Sequence, residues 1–217
     1  MIELITKNPI AYDSPDHLQP WGTANDNYTS SDFITELEMF FNNDKINFLD
    51  LGCSGGQLVV DMHDRGHLSI GLEGSDYSVI HGRANWPIFN NKNLFTCDVT
   101  KPYSLKQNNS EVLFDVVTAW EVVEHIKTED LNAFFMNVDK NLKDGGIFLA
   151  SIATHEDIVG GFRLHQSVFP QTEWIEKVLP SCLTNTSLQY LQYPFIYYVR
   201  GGSESFHIML KKNKKDE

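Results

Sequence analysis

Apolar positions along the chain fall into two alternating patterns. In residues 32–41 ("DFITELEMFF") they recur three and four apart, which predicts an amphipathic helix capped by Ser31 or Asp32. Residues 46–52 ("INFLDLG") form a short continuous apolar run, the pattern of a strand covered on both faces. Residues 56–67 ("GQLVVDMHDRGH") return to helical spacing and close at Gly66. Strand-length runs follow at 68–74, 93–99 and 114–120. Residues 128–142 predict a longer helix with Gly145 and Gly146 just beyond it, and 147–153 a fifth strand. Residues 154–170 have no period and are expected to form a long loop, the kind that carries function in compact domains. A short helix is expected at 172–180, then two strands within 188–199 and 204–212, joined as a hairpin through "RGGSE".

Strands alternating with helices predict an α/β fold. The expectation is a doubly wound, mostly parallel seven-stranded sheet with helices on both faces and a C-terminal antiparallel hairpin. The domain is expected to span 32–212, after an N-terminal lid or extension (1–31) and before a disordered tail (213–217). Such sheets bind ligands beyond the carboxyl ends of their strands, where strand order reverses.

Charge narrows the partners. At −12 the chain is a poor match for a phosphate backbone, so nucleic acid is not expected. No run approaches the roughly 20 apolar residues of a membrane span, and the first residues lack the pattern of a secretory leader. Cys53, Cys97 and Cys182 are odd in number and have no metal-like spacing, as expected of reduced thiols in a cytoplasmic protein.

The chemistry gathers at strand ends. "FLDLGCSGG" (48–56) ends a strand with Asp50 and the glycines Gly52, Gly55 and Gly56. Glycines there let the backbone turn and approach a ligand closely. The order G-C-S-G-G is not the G-x-G-x-x-G of a pyrophosphate loop, and an acid at the strand end suits an ammonium better than a phosphate. Glu73 ends the next strand, where a carboxylate can accept both hydroxyls of a ribose. Asp98 ends the third and can accept from an exocyclic amine. Three such acids describe a nucleoside with an amino-acid tail and no phosphate.

In these motifs the chain resembles the class I S-adenosylmethionine-dependent methyltransferases. "DLGCSGG", "GLEGSD", "CDVT", "FDVVTAWEVVEHI" and "LKDGGIFLASI" carry the likeness, in order, over 47–153. One departure is Ser54 at the middle glycine position, with Gly55 expected to supply the backbone freedom. The resemblance implies S-adenosyl-L-methionine as cofactor. It implies that Asp50, Gly52 and Gly56, with Cys53 between them, line the methionine part. Glu73 would hold the ribose, with Asp76 as its rival, Asp98 the adenine amine, and Val99 would offer a backbone amide. Trp120 and Glu121 would face the sulfonium, and Trp21 or Tyr28 would cover it from the N-terminal segment.

Glu121, Glu124 and His125 form E-x-x-E-H. On a helix these positions share one face, a set able to bind Mg²⁺ or Mn²⁺. It is similar to the metal set of 3′-terminal RNA 2′-O-methyltransferases and ubiquinone-pathway O-methyltransferases, although similar strings occur in methyltransferases without a metal. His165 is a further candidate ligand, or a general base for an acceptor hydroxyl. The candidate catalytic residues are Glu121, His125 and His165. The expected acceptor is a small molecule or a carbohydrate, the latter favoured by Trp120, His155, Arg163, His165 and Gln166. The alternatives are N-methylation, RNA 2′-O-methylation, or S-adenosylmethionine binding without catalysis.

Overall fold

Strand pairing, more than helix packing, organises this molecule, whose computed structural model describes residues 1–214. The chain opens with strand β1 (Ile2–Thr6) and short helices α1 (Pro15–Leu18) and α2 (Trp21–Asn25). It continues through helix α3 (Ser31–Phe40), strand β2 (Asn47–Leu51), helix α4 (Gln57–Asp64) and strand β3 (Leu68–Glu73). Short helices α5 (Tyr77–Ile80) and α6 (Trp86–Phe89) lead to strands β4 (Leu94–Thr96), β5 (Tyr103–Gln107), β6 (Ser110–Glu111) and β7 (Phe114–Trp120). Helix α7 (Leu131–Asn141) runs directly into strand β8 (Leu142–Ala153). The remainder is a small hairpin, β9 (Ile158–Val159) and β10 (Phe162–Arg163), a helical stretch from α8 (Gln171–Glu173) through a π turn to α9 (Leu179–Cys182), and strands β11 (Leu188–Leu191) and β12 (Ser205–Lys212).

The main sheet has the order β11-β12-β8-β7-β2-β3-β4. β4, β3, β2, β7 and β8 are parallel; β12 pairs antiparallel with both β8 and β11, so it alone runs against the other strands of this sheet. The chain starts in the centre at β2, winds out to β4, then returns to β7 on the other side. Strand order therefore reverses between β2 and β7. This is the doubly wound, seven-stranded architecture that the apolar pattern predicts.

Alternation along each strand builds one core on each face. Phe48, Val116, Trp120, Ile147 and Leu149 pack on Phe33, Ile34 and Leu37 of α3 and on Leu58 and Met62 of α4. Leu49, Leu51, Val117, Ala119, Phe148 and Ala150 face Phe134, Phe135 and Val138 of α7 on the other side. Period two places Asp50 and Thr118 on the α3 face, between Phe48 and Val116 on one side and Trp120 on the other.

Several boundaries differ from expectation. The cap of α3 is Ser30, whose hydroxyl accepts from Phe33 N at 3.2 Å. Residues 1–31 open with a strand: β1 pairs antiparallel with β5 in a second sheet, β1-β5-β6. Short, half-polar strands of this kind carry too little pattern to stand out in the sequence. The segment expected as one loop, 154–170, contains the β9–β10 hairpin, and Leu164, His165 and Ser167 are buried. β11 and β12 are neighbours without a tight turn at "RGGSE", because residues 192–204 make a longer excursion across the end of the sheet. Of the expected tail, Asn213 N still bonds Ser187 O at 2.9 Å; residues 215–217 lie outside the described residues.

Candidate functional site

Where β2 and β7 diverge, the carboxyl ends of the parallel strands open onto a cavity of about 420 Å³. Its floor includes Gly52, Glu73, Asp98, Val99, Trp120 and Glu121, and its far end His125 and His165. Its roof is the N-terminal segment, with Asn8, residues 10–16, Trp21, Thr23 and Asp26. A smaller pocket is lined by Asp50, Cys53, Gly52, Trp120, Arg200 and Tyr28, and shares Gly52, Trp120, Asp26, Ser54 and Arg200 with the cavity.

The loop after β2 explains its own composition. Gly52 has φ +72°, and a Cβ there would come 2.4 Å from Val122 Cγ2. The freedom expected of Gly55 is supplied by Ser54 itself, at φ 47°. That strained backbone is held by four hydrogen bonds. Ser54 N donates to Glu73 Oε2 at 2.7 Å, and its hydroxyl donates to the carbonyls of Asp26 (2.8 Å) and Thr23 (3.3 Å). Its own carbonyl accepts from Trp86 Nε1 at 2.7 Å. Gly55 is needed for close approach instead, since a Cβ there would lie 2.2 Å from Asn27 Oδ1. Gly56 lines neither cavity; at φ +83° it starts α4. The Cys53 side chain packs against Gly71, where a Cβ would meet its Sγ at 2.7 Å, and burial pushes its thiol well up.

Each strand-end acid has a distinct setting. Asp50 is 4% exposed and accepts from Thr118 Oγ1 at 2.6 Å. Burial pushes its carboxyl up to about 7, the Thr118 bond opposing and the charges of Asp26 and Glu73 reinforcing. Glu73 is also raised by burial, while Ser75 N, Ser54 N and the Thr23 hydroxyl hold its charged form. Asp98 Oδ1 accepts from the Thr100 amide (2.9 Å) and hydroxyl (2.6 Å). The rival Asp76 is absent from the lining of both cavities; it pairs with His17 at 3.7 Å. Trp21 and Tyr28 are both largely exposed, Trp21 at the cavity and Tyr28 at the small pocket.

The E-x-x-E-H stretch is not the expected helix. Glu121 stands at φ 55°, and a single 3₁₀ turn, Val123–His125, follows. The Glu121 amide bonds Ser151 Oγ at 2.9 Å, and its carboxylate accepts from Ser205 Oγ at 3.2 Å, outside the cluster that Glu124 joins. The group whose ligand atoms lie within 4.8 Å of one another is Glu124, His125 and His165, so the loop histidine takes the place expected for Glu121.

Glu124 is fully buried, and neither carboxylate oxygen has a hydrogen-bond partner among the described residues. Burial pushes it up to about 8. His165 Nδ1 lies 2.6 Å from the His155 carbonyl, which only accepts, so Nδ1 carries the hydrogen and Nε2 the lone pair. Burial lowers its pKa, keeping the ring neutral. Burial acts to lower His125, but the Asp16 carboxylate, 2.9 Å from Nδ1, together with the charges of Glu124 and Glu121 outweighs it and pushes the ring up to about 9.

Of the residues expected as a sugar platform, Trp120 and His165 line the cavity, and His155 packs its ring 5.1 Å from that of His165. His155 is exposed, Arg163 pairs with Glu156 at 3.2 Å, and Gln166 bonds the Arg163 carbonyl. Sequence patterns missed Asp16, Asp26 and Arg200, which reach the site from segments without a local motif.

Comparison with known proteins agrees with this geometry. A family described as "Methyltransferase domain" matches residues 24–198. The ubiquinone biosynthesis O-methyltransferase of Pelagibacter ubique is 32% identical over 108 residues, covering 49% of this chain and 42% of that protein. That of Rickettsia typhi is 24% identical over 119 residues, 54% of this chain and 46% of that protein. The chain thus spans less than half the length of the curated relatives it matches. Among solved structures, Burkholderia thailandensis 1,6-didemethyltoxoflavin-N1-methyltransferase superposes with a TM-score of 0.60 at 12% identity, over 92% of this chain and 84% of that one. At that identity the likeness is one of fold.

Proposed function

The chain belongs to the methyltransferase-domain family, and on that premise we propose that it is an S-adenosylmethionine-dependent methyltransferase acting on an oxygen of a small-molecule acceptor. The observation carrying this reading is that Glu73 and Asp98 line the same cavity as Trp120, Glu121, His125 and His165.

The residues fit the cofactor by their own chemistry. Glu73 would hold the ribose hydroxyls, Asp98 the adenine amine and Val99 the ring edge. Asp50, in the adjoining pocket, would take the α-ammonium beside the backbone of Gly52 and Cys53. When bound, S-adenosylmethionine supplies a methyl group on a positively charged sulfur, open to attack by a nucleophile.

His165 would act as the base, with its neutral Nε2 able to take the proton of an acceptor hydroxyl. Val122, Ile126 and Leu164 add apolar side chains to the lining of that cavity. A base with a fixed lone pair favours oxygen, because an unprotonated amine attacks without one. The two relatives named as ubiquinone biosynthesis O-methyltransferases point the same way. The charge of −12 counts against RNA.

Glu124, His125 and His165 support a second reading, in which Mg²⁺ or Mn²⁺ held there would orient the acceptor oxygen and lower its pKa. The orphaned Glu124 carboxylate is the observation that favours it.

Calorimetry with S-adenosylhomocysteine tests the cofactor site. Binding is expected, and Asp50→Ala and Glu73→Ala should each weaken it; unchanged affinity in both variants rejects the site. Transfer of labelled methyl to a panel of hydroxylated acceptors separates an enzyme from a protein that only binds the cofactor.

A further inference from the structure

The small pocket holds one cation among its lining residues, Arg200, and the Asp50 carboxylate lines the same pocket. Arg200 belongs to the 192–204 excursion and lies just outside the family match, which ends at residue 198. Its placement is built. Glu36 accepts from the amides of Ile196 and Tyr197 at 2.9–3.0 Å, fixing the start of the excursion. His207 Nε2 donates to the Arg200 carbonyl at 2.9 Å. Gly201, at φ +109°, lets the backbone pass where a Cβ would lie 2.9 Å from Ser151 Cβ. The guanidinium stacks 5.2 Å from the Tyr28 ring centroid and pairs with the Asp26 carboxylate of the N-terminal roof.

Trp120 lines the same pocket, and its indole Nε1 is buried with no partner among the described residues. The pocket therefore brings together a guanidinium, an indole N–H and the Asp50 carboxylate, with Asp26 on the guanidinium. That set matches the two charges of an α-amino acid head.

We propose that Arg200, with Trp120 beside it, binds the α-carboxylate of the cofactor's amino-acid end, and that Asp26 holds the guanidinium until that carboxylate displaces it. This rests on the cofactor reading above and adds a residue to it. Asp50 takes the ammonium and Arg200 the carboxylate, so the pocket selects a zwitterion. Because Asp26 sits on the roof, an arriving carboxylate exchanges one partner of Arg200 for another and loosens one tie of the roof.

The test compares two probes by calorimetry: S-adenosylhomocysteine, which carries the amino-acid head, and 5′-methylthioadenosine, which lacks it. Arg200→Met should weaken the first about ten- to a hundredfold, the range of a charge-assisted hydrogen bond, and leave the second within about twofold. Trp120→Phe should do the same to a smaller degree. Asp26→Asn, which removes the competing charge but keeps an acceptor for the Tyr28 amide, should tighten S-adenosylhomocysteine severalfold without affecting methylthioadenosine. Equal losses for both probes in Arg200→Met would make the residue a structural clamp and overturn the assignment, as would unchanged affinity for S-adenosylhomocysteine. Wild-type protein that binds neither probe would instead reject the cofactor reading.

Discussion

Thr118 Oγ1 donates to Asp50 Oδ1 at 2.6 Å, across a register in which the two residues are paired neighbours on β7 and β2. The bond gives a buried carboxylate its hydrogen-bond donor one pair before the last that joins the two strands, Leu51 with Ala119. Thr118→Val keeps the shape and removes the donor. The variant should lose roughly 1–3 kcal/mol of stability at pH 8, and less at pH 5, where Asp50 is protonated and needs the donor less. Urea unfolding at the two pH values measures the difference.

Asp50 also makes stability depend on pH. Its folded pKa of about 7 lies above the ordinary value of 3.8, so the folded state binds the proton more tightly than the unfolded chain. This group's contribution to stability is therefore most favourable below about pH 4 and falls as pH rises to about 7. A shift of that size corresponds to roughly 4 kcal/mol. Asp50→Asn should unfold later than wild type at pH 8 and converge with it near pH 4, while losing affinity for S-adenosylhomocysteine. A variant less stable at pH 8 would contradict the burial argument.

The same proton reports on binding. A ligand ammonium beside Asp50 favours the carboxylate, so S-adenosylhomocysteine binding below pH 7 should release a proton and weaken by up to about tenfold per pH unit. Calorimetry in buffers of different ionisation enthalpy counts that proton. It should disappear in Asp50→Asn.

Ser54 combines a left-handed backbone with hydroxyl bonds to two roof carbonyls. Ser54→Val adds β-branching at positive φ and deletes both bonds. It should cost roughly 2 kcal/mol and loosen the roof. Thermal unfolding gives the first quantity, and amide exchange over residues 21–27 the second.

Cation binding at the histidine cluster has a readout independent of turnover. Manganese should raise the melting temperature of wild type relative to chelator-treated protein, by mass action on the folded state. Glu121→Ala should keep the rise, because Glu121 is turned toward Ser205, whereas Glu124→Ala and His165→Ala should lose it. Identical melting curves with and without the ion in wild type would remove the cation from this site.

Much of this architecture can be read from local chemistry. The apolar runs of β2, β3, β7 and β8 must be covered on both faces, and the glycines after β2 must turn the chain, so parallel strands with acids at their ends follow from residues close in sequence. Asp50, Glu73 and Asp98 were legible for that reason. The failures have one cause as well. E-x-x-E-H implies a helical face only if the backbone is helical, and the bonds of Glu121 to Ser151 and Ser205 make it something else. β1 was illegible because its partner β5 lies about a hundred residues away.

The amino-acid order thus carried the fold class and the strand-end acids, which depend on short-range periodicity and backbone sterics. Folding in three dimensions added the roof, the replacement of Glu121 by His165 in the cluster, and the meeting of Asp26 with Arg200, 174 positions apart. Contacts of that separation depend on where an entire sheet directs its loops, and no local pattern encodes that.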